Sequence, residues 1–390
     1  MKQPATERVR LAVVAREWGR IGCIGFGGPP AHIALLRELC VERRRWLSAR
    51  EFEDGIAATN LLPGPASTQL AIYCAWRLRG RLGAVVGGSC FILPGLIVIL
   101  GLAALFLGPH PPRWVEGAAA GAGAAVPAVA VSAAIALIPA SWRRTGAALN
   151  RRVRWMAYLV LGFAAAATIG PWLVLVLAGC GIVEVAAGAR GERTTSWLSG
   201  FAPPLIVHAS AVGGLGAVAW VAFKVGALSY GGGFVIIPLM QQDAVNTYHW
   251  MTGGQFLSAV ALGQITPGPV VQTVAVVGYA AAGIGGGLLA SLVAFGPSFA
   301  FVIIGAPRFE RLRANTGVQH FLTGAGAAAI GAIAGSAIGL GLELEHLWQV
   351  GVLALATAWL LGLHRGVVST LLVAAVLGVV AAWTGAPIGG

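Results

Sequence analysis

Phe26-Gly27-Gly28-Pro29-Pro30-Ala31-His32 and Asn60-Leu61-Leu62-Pro63-Gly64-Pro65-Ala66-Ser67-Thr68-Gln69 are two helix-breaking stretches set in apolar sequence. Both motifs return 204 positions later, with Tyr230-Gly231-Gly232 for Phe26-Gly27-Gly28 and Pro267-Gly268-Pro269 for Pro63-Gly64-Pro65. The same offset aligns Trp46 with Trp250, Phe52 with Phe256, Ile33 with Ile237 and Arg20 with Lys224. Paired glycine–proline interruptions at corresponding positions of two halves point to the binding site of a membrane transporter. They say where to look for function.

Composition agrees with that reading. Hydrophobic residues make up 57% of the 390, charged residues 10%, and mean hydropathy is +0.80. Soluble domains sit near 25% charged, so the chain reads as a polytopic membrane protein. Its 57 glycines, with runs such as Gly117 to Ala125, suit helices that approach closely in lipid. The net charge of +12 lies in short runs between apolar segments, which is topology writing rather than a nucleic-acid surface. Cys23, Cys40, Cys74, Cys90 and Cys180 show no C-x-x-C spacing and read as packed thiols. No apolar stretch with a cleavage site follows residues 1 to 10, so no removable signal peptide is expected.

Apolar stretches long enough to cross the bilayer run near 82–107, 115–140, 154–170, 171–188, 201–220, 284–306, 317–342, 346–363 and 367–385. Basic loops fall at 37–50, 77–81, 143–154, 190–193, 308–313 and 365, and placing all of them on the cytoplasmic side gives a self-consistent topology. Only 52–76 separates two of these loops. It must therefore dip in and return at Pro63-Gly64-Pro65; the alternative is a broken helix that spans fully. The same logic makes 17–42 a re-entrant hairpin, with 221–246 and 256–280 entering from the opposite side. Thr6 to Arg20, amphipathic and basic, is expected to lie at the interface. The fold class is thus all-α and polytopic, with two inverted-topology repeats of broken or re-entrant hairpins. The expected divisions are 1–188, a linker with a connecting helix at 189–220, and 221–390.

Non-helical backbone at membrane depth must be buried in protein or line a wet cavity. Pro30, Pro65 and Pro269 are placed to open half-helices whose N-termini aim at the turns Gly27-Gly28, Gly64, Gly231-Gly232 and Gly268. Such converging N–H groups and dipoles make an anion site, unless the motifs are packing kinks. Arg20 and Lys224 would draw an anion by fixed charge, or else snorkel to an interface. His32 is a donor or proton carrier, or a satisfied interior histidine. Asn60, Ser67, Thr68 and Gln69, mirrored by Gln264, Thr266, Gln272 and Thr273, can cradle tetrahedral oxygens or simply bond helices together. Glu51, Glu53 and Asp54 read as a solvated salt-bridge cluster, and Glu184 as a weaker proton-carrier candidate. No phosphate-binding loop, H-E-x-x-H, G-x-S-x-G or cysteine–histidine metal set occurs, so neither an enzyme nor a cofactor or metal is expected.

The sequence at 26–32 and 60–69, with Tyr230-Gly231-Gly232-Gly233-Phe234-Val235-Ile236-Ile237-Pro238 and the Pro-Gly-Pro at 267–269, resembles the chromate ion transporter (CHR) family. The resemblance covers both halves, as in the long two-domain members. It implies export of chromate from the cytoplasm, chromate resistance, sulfate as a close structural analogue, and a bacterial or archaeal inner membrane. Gly233 stands where the first half has Pro29, which leaves that turn more flexible. The competing functions are an anion channel, a transporter of sulfate or another oxyanion, and a scaffold without flux. The partners expected are the oxyanion and the lipid bilayer, with a homodimer an admissible assembly.

Overall fold

A computed structural model describes residues 9–60, 62–168, 173–189, 214–229, 236–306, 309 and 314–388. The described residues form helices and no strand. Four helical stretches, 66–106, 113–144, 270–305 and 316–342, are long and apolar enough to cross a membrane, for which about 20 residues suffice. The protein is an all-α polytopic membrane protein, as its composition requires.

The chain first makes two hairpins. Helix α1 (Leu11–Ile24) ends at the Gly25–Gly28 break, and α2 (Pro29–Arg37) continues into a π-helical turn, Glu38–Arg43. That return brings Arg44 to 2.6 Å from Glu17 and stacks Trp46 on Trp18, ring centroids 6.3 Å apart. Helix α3 (Ala49–Thr59) opens with a capping box of Ser48 and Glu51, and its 11 residues rise about 16 Å, half a bilayer. After the Pro63-Gly64-Pro65 tip, α4 (Ala66–Phe106) starts back beside it. Gly55 abuts the Tyr73 ring, and Glu51 pairs with Arg77.

Helix α4 is itself bent double. Arg79 and Gly80 leave helical geometry, and Gly80 takes φ 60°, where a side chain is disfavoured. Gly83 and Gly87 then pack on Ala75. A straight helix would hold positions eight apart about 12 Å from each other. Residues 66–78 are therefore a half-length arm, and 81–106 is the spanning helix. The arms on either side of Pro63-Gly64-Pro65 lie side by side rather than end to end.

Helices α5 (Arg113–Ala124), α6 (Val126–Arg144), α7 (Leu149–Thr168) and α8 (Leu173–Ala189) complete the first half. The second half opens with α9 (Leu215–Leu228), then α10 (Ile236–Gln241), which runs into a π-helical turn at Gln242–Thr247. Next come α11 (Gly253–Ile265), a 3₁₀ turn at Val270–Gln272, and α12 (Thr273–Gly305). Helix α9 and the second π turn match α1 and the first at the 204-residue offset, residue for residue. Helix α12 bends double at Ala282 and Gly283, as α4 does at Arg79 and Gly80. Helices α13 (Thr316–Leu342), α14 (Leu347–Thr357, extended by a π turn to Gly362) and α15 (Val367–Trp383) follow.

The spanning parts of α4 and α12 run antiparallel, since Gly88 abuts Phe299 while Gly287 abuts Leu100. Their bends at Gly80 and Gly283 therefore lie at opposite ends of the bundle. The Gly80 end carries Arg77, Arg79 and Arg81 and, one helical return later, Arg143 to Arg154; we call it the basic end. At the far end, Gln241 at the base of the third hairpin bonds Glu343 at 3.0 Å.

Two expectations change. Helix α1 buries Val14, Trp18 and Ile21 against α4, so its amphipathic face is a packing face and not a membrane-surface one. Of the crossing expected at 201–220, residues 201–213 lie outside the described residues, and 215–220 belong to α9, the counterpart of α1. The turn at Gly170-Pro171 also lies outside the described residues.

The halves interlock through small residues. Helix α13 lies against α7 and α8, and α5 against α15. A Cβ at Gly331 would sit 1.8 Å from the Leu159 carbonyl oxygen, and one at Gly378 would sit 1.9 Å from that of Gly117. Close backbone approach is the main source of helix association in lipid. Gly331→Val is therefore expected to lower the melting temperature in detergent, at a cost of about 1–3 kcal/mol or more. Gly351→Val, at a position with open space around it, leaves melting unchanged. Equal melting of the two variants would show that this contact is not tight.

Candidate functional site

The hairpin tips meet one another. The Gly64 N–H donates to the Ser229 carbonyl at 2.6 Å, and the Gly268 N–H donates to the Gly25 carbonyl at 3.0 Å. Ser229 is the counterpart of Gly25, and Gly268 that of Gly64. Each Pro-Gly-Pro tip thus closes on the aromatic-Gly-Gly break of the other half. Both tip glycines have positive φ, 119° and 97°, so the turn that presents these N–H groups favours glycine. Gly95 touches the Pro267 carbonyl, and Gly64 touches Ser298; Gly95 and Ser298 each follow a mid-helix proline, Pro94 and Pro297. Sequence reading passed over Gly95, Ser229 and Ser298. The repeated proline inside a spanning segment was the available signal for two of them.

His32 is fully buried and satisfied on both sides. Its Nε2 lies 3.0 Å from the Gly25 carbonyl and its Nδ1 lies 3.2 Å from Ser67 Oγ. A carbonyl only accepts, so Nε2 carries the proton and Nδ1 accepts from the serine hydroxyl. The ring also meets Phe91 edge-on, centroids 5.0 Å apart. His32 therefore ties the first break to the second arm, and its two nitrogens are occupied.

The amides of Gln69 and Gln272 are oriented by their partners. Gln69 Nε2 donates to the Pro63 carbonyl at 2.6 Å, and Gln272 Nε2 to the Ile92 carbonyl at 2.7 Å. Their Oε1 atoms are left without partners, as are Thr68 Oγ1, Ser229 Oγ, Gln264 Nε2 and Ser298 Oγ. Buried polar atoms are normally paired, and leaving one unmet costs about 1–3 kcal/mol. Six such atoms lie in the segments that meet at the tips, where a water or a polar ligand would satisfy them. Helix termini add to it. The outer starts of α3 and α11 carry side-chain capping boxes, whereas α2 and α4, which start at the tips after Gly28 and Pro65, have no side-chain cap. The first turn of α4 has the N–H groups of Ala66, Ser67 and Thr68, with the positive end of the helix dipole behind them, whereas α2 has only that of Ala31, since Pro29 and Pro30 carry none.

Pro29, not Pro30, opens α2, while Pro65 and Pro269 occupy the cap positions of α4 and the 3₁₀ turn. Ser67 and Thr273 spend their hydroxyls on His32 and the Val270 carbonyl, and Thr266 on the Leu262 carbonyl. Asn60 is exposed at the end of α3. Gly28 stands against Val270 of the other half. Gly231 and Gly232 lie outside the described residues. Glu51 and Glu53 form the expected salt-bridge cluster with Arg77 and Arg37.

The fixed charges do not join the tip junction. Arg20 is exposed and has no ion-pair partner among the described residues. Lys224 bonds Asp243 at 2.5 Å and lies over the Trp220 ring. Glu184 accepts both Arg154 Nε and Nη2, at 2.8 and 2.9 Å, and the Tyr158 hydroxyl at 3.0 Å.

A helical membrane protein with interrupted helices meeting around unpaired polar groups has the build of a solute transporter. The chain belongs to the Chromate transporter family, which matches residues 12–184 and 216–382. It is 33% identical to the "Chromate transport protein" of Cupriavidus metallidurans over 374 residues, 93% of this chain and 91% of that one. It is 29% identical to the "Probable chromate transport protein" of Synechococcus elongatus over 375 residues, 93% of each chain. A third relative, the "Chromate transport protein" of Pseudomonas aeruginosa, is 31% identical over 82% of this chain and 79% of its own. No solved structure matches it significantly.

Lys224→Ala strands the Asp243 carboxylate, whose side chain is 14% exposed, and is expected to destabilise by about 1–3 kcal/mol. The double change Lys224→Ala with Asp243→Asn regains most of that in thermal melts. Additive losses would mean that the pair is not coupled.

Proposed function

We propose that this protein is a secondary transporter that carries chromate out of the cytoplasm by alternating access around the tip junction, and so confers chromate resistance. The observation that carries the reading is the set of six unpaired buried polar atoms where the Pro-Gly-Pro tips cross over to the opposite half. The hydroxyls of Thr68, Ser229 and Ser298, the Gln264 amide and the uncapped start of α4 supply donors to an oxyanion without a charged side chain. The relatives' names supply the substrate class, with sulfate a competitor of the same shape.

In this reading the halves, roughly 1–188 and 221–390 with α9 added to the second, are inverted repeats in the inner membrane, and the basic end faces the cytoplasm. The antiparallel α4–α12 pair and the bends at opposite ends support that orientation. An inside-negative potential favours expulsion of an anion by about 2.3 kcal/mol per charge per 100 mV. Export of a dianion therefore needs no nucleotide engine. The mutual tip bonds mean that neither half can rock without exchanging a partner, which suits a site opened alternately to each side.

Inside-out vesicles containing the protein are expected to accumulate chromate with saturable kinetics, and sulfate to compete. Ser298→Ala combined with Thr68→Val is expected to cut the initial rate about tenfold or more, since two hydrogen bonds to a charged ligand contribute about 1.5–3 kcal/mol each, with melting preserved. Linear, unsaturable flux would indicate a channel, and undiminished flux in the double variant would remove these hydroxyls from the site.

Orientation has its own test. Glu42 and Asn246 occupy equivalent exposed positions after the two π-turn starts. With Cys23 replaced by serine, Glu42→Cys should react with an impermeant maleimide only from the cytoplasmic side and Asn246→Cys only from the opposite side. Reaction from one common side would rule out inversion.

A further inference from the structure

The two crossovers at the tips are made by the same backbone bond in different surroundings. At one, the Gly25 carbonyl receives two donors, the Gly268 N–H of the other half and His32 Nε2 of its own half, each at 3.0 Å. At the other, the Ser229 carbonyl receives the Gly64 N–H at 2.6 Å, its one donor among the described residues. A carbonyl oxygen has two lone pairs, so a shared acceptor keeps a partner when one donor leaves. The unshared bond is also the shorter of the two.

The second donor at Gly25 has a seat of its own. His32 is fully buried, Ser67 Oγ meets its Nδ1 at 3.2 Å, which leaves the proton on Nε2, and Phe91 meets the ring edge-on. A Cβ at residue 25 would lie 2.8 Å from His32 Cδ2, so glycine there gives the ring room. The second half keeps none of this. Ile236 stands for His32, Ser229 for Gly25 and Val271 for Ser67, and at the offset that relates Gly80 to Gly283, Ala294 stands for Phe91. Four positions differ together, so the asymmetry belongs to an assembled unit rather than to one substitution.

Alternating access requires the tips to part, and parting strands different groups at each crossover. When Gly268 withdraws, the Gly25 carbonyl is still met by His32. When Gly64 withdraws, the Ser229 carbonyl is stranded along with the N–H, and an unmet backbone group is costly at membrane depth. We propose that His32 is a positioning residue for transport: it holds the Gly25 carbonyl in the parted state, so that the Gly25–Gly268 crossover opens first while Gly64–Ser229 stays closed. The inference rests on the transport reading for its purpose, but the order of opening belongs to the resting protein and is read without substrate.

Each tip glycine lies between two prolines, which carry no N–H, so each Pro-Gly-Pro contributes a single exchangeable amide. The two local sequences are identical, and intrinsic exchange cancels between them. Hydrogen–deuterium exchange of the full chain in detergent, read by mass spectrometry on overlapping peptides, therefore compares the crossovers directly. The Gly268 amide is expected to exchange about fivefold faster than that of Gly64, the fold-change of one hydrogen bond. His32→Ile, which installs the second half's residue, is expected to slow Gly268 towards the Gly64 rate, and His32→Gln, whose amide N–H replaces the donor, to keep wild-type exchange. Mere loss of packing would do the reverse and speed Gly268. In vesicles, His32→Ile should lower the maximal rate of chromate flux with little change in KM, since it removes no donor to the anion. Gly268 exchanging no faster than Gly64 in the wild type, a comparison that needs no variant to fold, would overturn the order of opening. Unchanged or faster Gly268 exchange in His32→Ile, or a raised KM at unchanged maximal rate, would overturn the role of His32. Absence of chromate flux in the wild type would count against the transport reading and leave the exchange result standing.

Discussion

Broken backbone cannot be left bare at membrane depth, and the rest of the architecture serves that constraint. Here the exposed groups at each break are met by the opposite half: Gly64 N–H by Ser229, and Gly268 N–H by Gly25. A helix that stops halfway needs a partner arriving from elsewhere at the same depth, and two mutually equivalent copies provide it reciprocally. The doubled-back helices α4 and α12 follow, because each short arm must lead into a spanning helix at the level from which it entered. After the mid-helix prolines Pro94 and Pro297 come residues small enough, Gly95 and Ser298, for the other half's tip to press against.

Much of this was legible in the sequence. The spans expected at 82–107, 317–342 and 367–385 fall within a residue or two of 81–106, α13 and α15. Charge in the loops and proline in the breaks act locally, so a single chain displays them. What it did not display was contact over distance. Val14, Trp18 and Ile21 give α1 the amphipathic look of a surface helix, and only the presence of α4 makes that face a buried one. Ser229 and Ser298 looked like ordinary helix hydroxyls, and the unmet valence that distinguishes them exists only after folding. A one-residue shortening between Pro269 and the α12 bend moves later counterparts from an offset of 204 to 203, as with Gly80 and Gly283. Strict alignment at 204 therefore hid the equivalence of Gly95 and Ser298.

Arg20 and Lys224 show a limit of equivalence by offset. They align, and both are cationic, yet one is exposed while the other is held by Asp243, whose counterpart in the first half is Leu39. The first half makes its own tie between the same elements with reversed polarity, Glu17 on α1 to Arg44 after the π turn. Two halves that keep a tie but not its residues are constrained in geometry rather than in the sign of charge at a given position. That reasoning weighs against Arg20 and Lys224 as a matched anion clamp and in favour of the neutral donors at the tips.

A site built from neutral donors has a further consequence for transport. In the proposed reading, hydroxyl, amide and backbone N–H groups at the tips would stabilise an oxyanion without a fixed countercharge to hold it there, so that it could leave as readily as it binds. In the same reading, cations concentrated at the basic end would raise the local concentration of anions there, and their field falls off within a Debye length of about 8 Å. Binding at the junction would then depend on the number of unpaired donors that the two halves bring together at one time. Because the unpaired donors are split between the halves, with Thr68 on one and Ser229, Gln264 and Ser298 on the other, relative movement of the halves would in that reading change the affinity directly. Coupling between conformation and occupancy would thereby be contained in the tip junction itself.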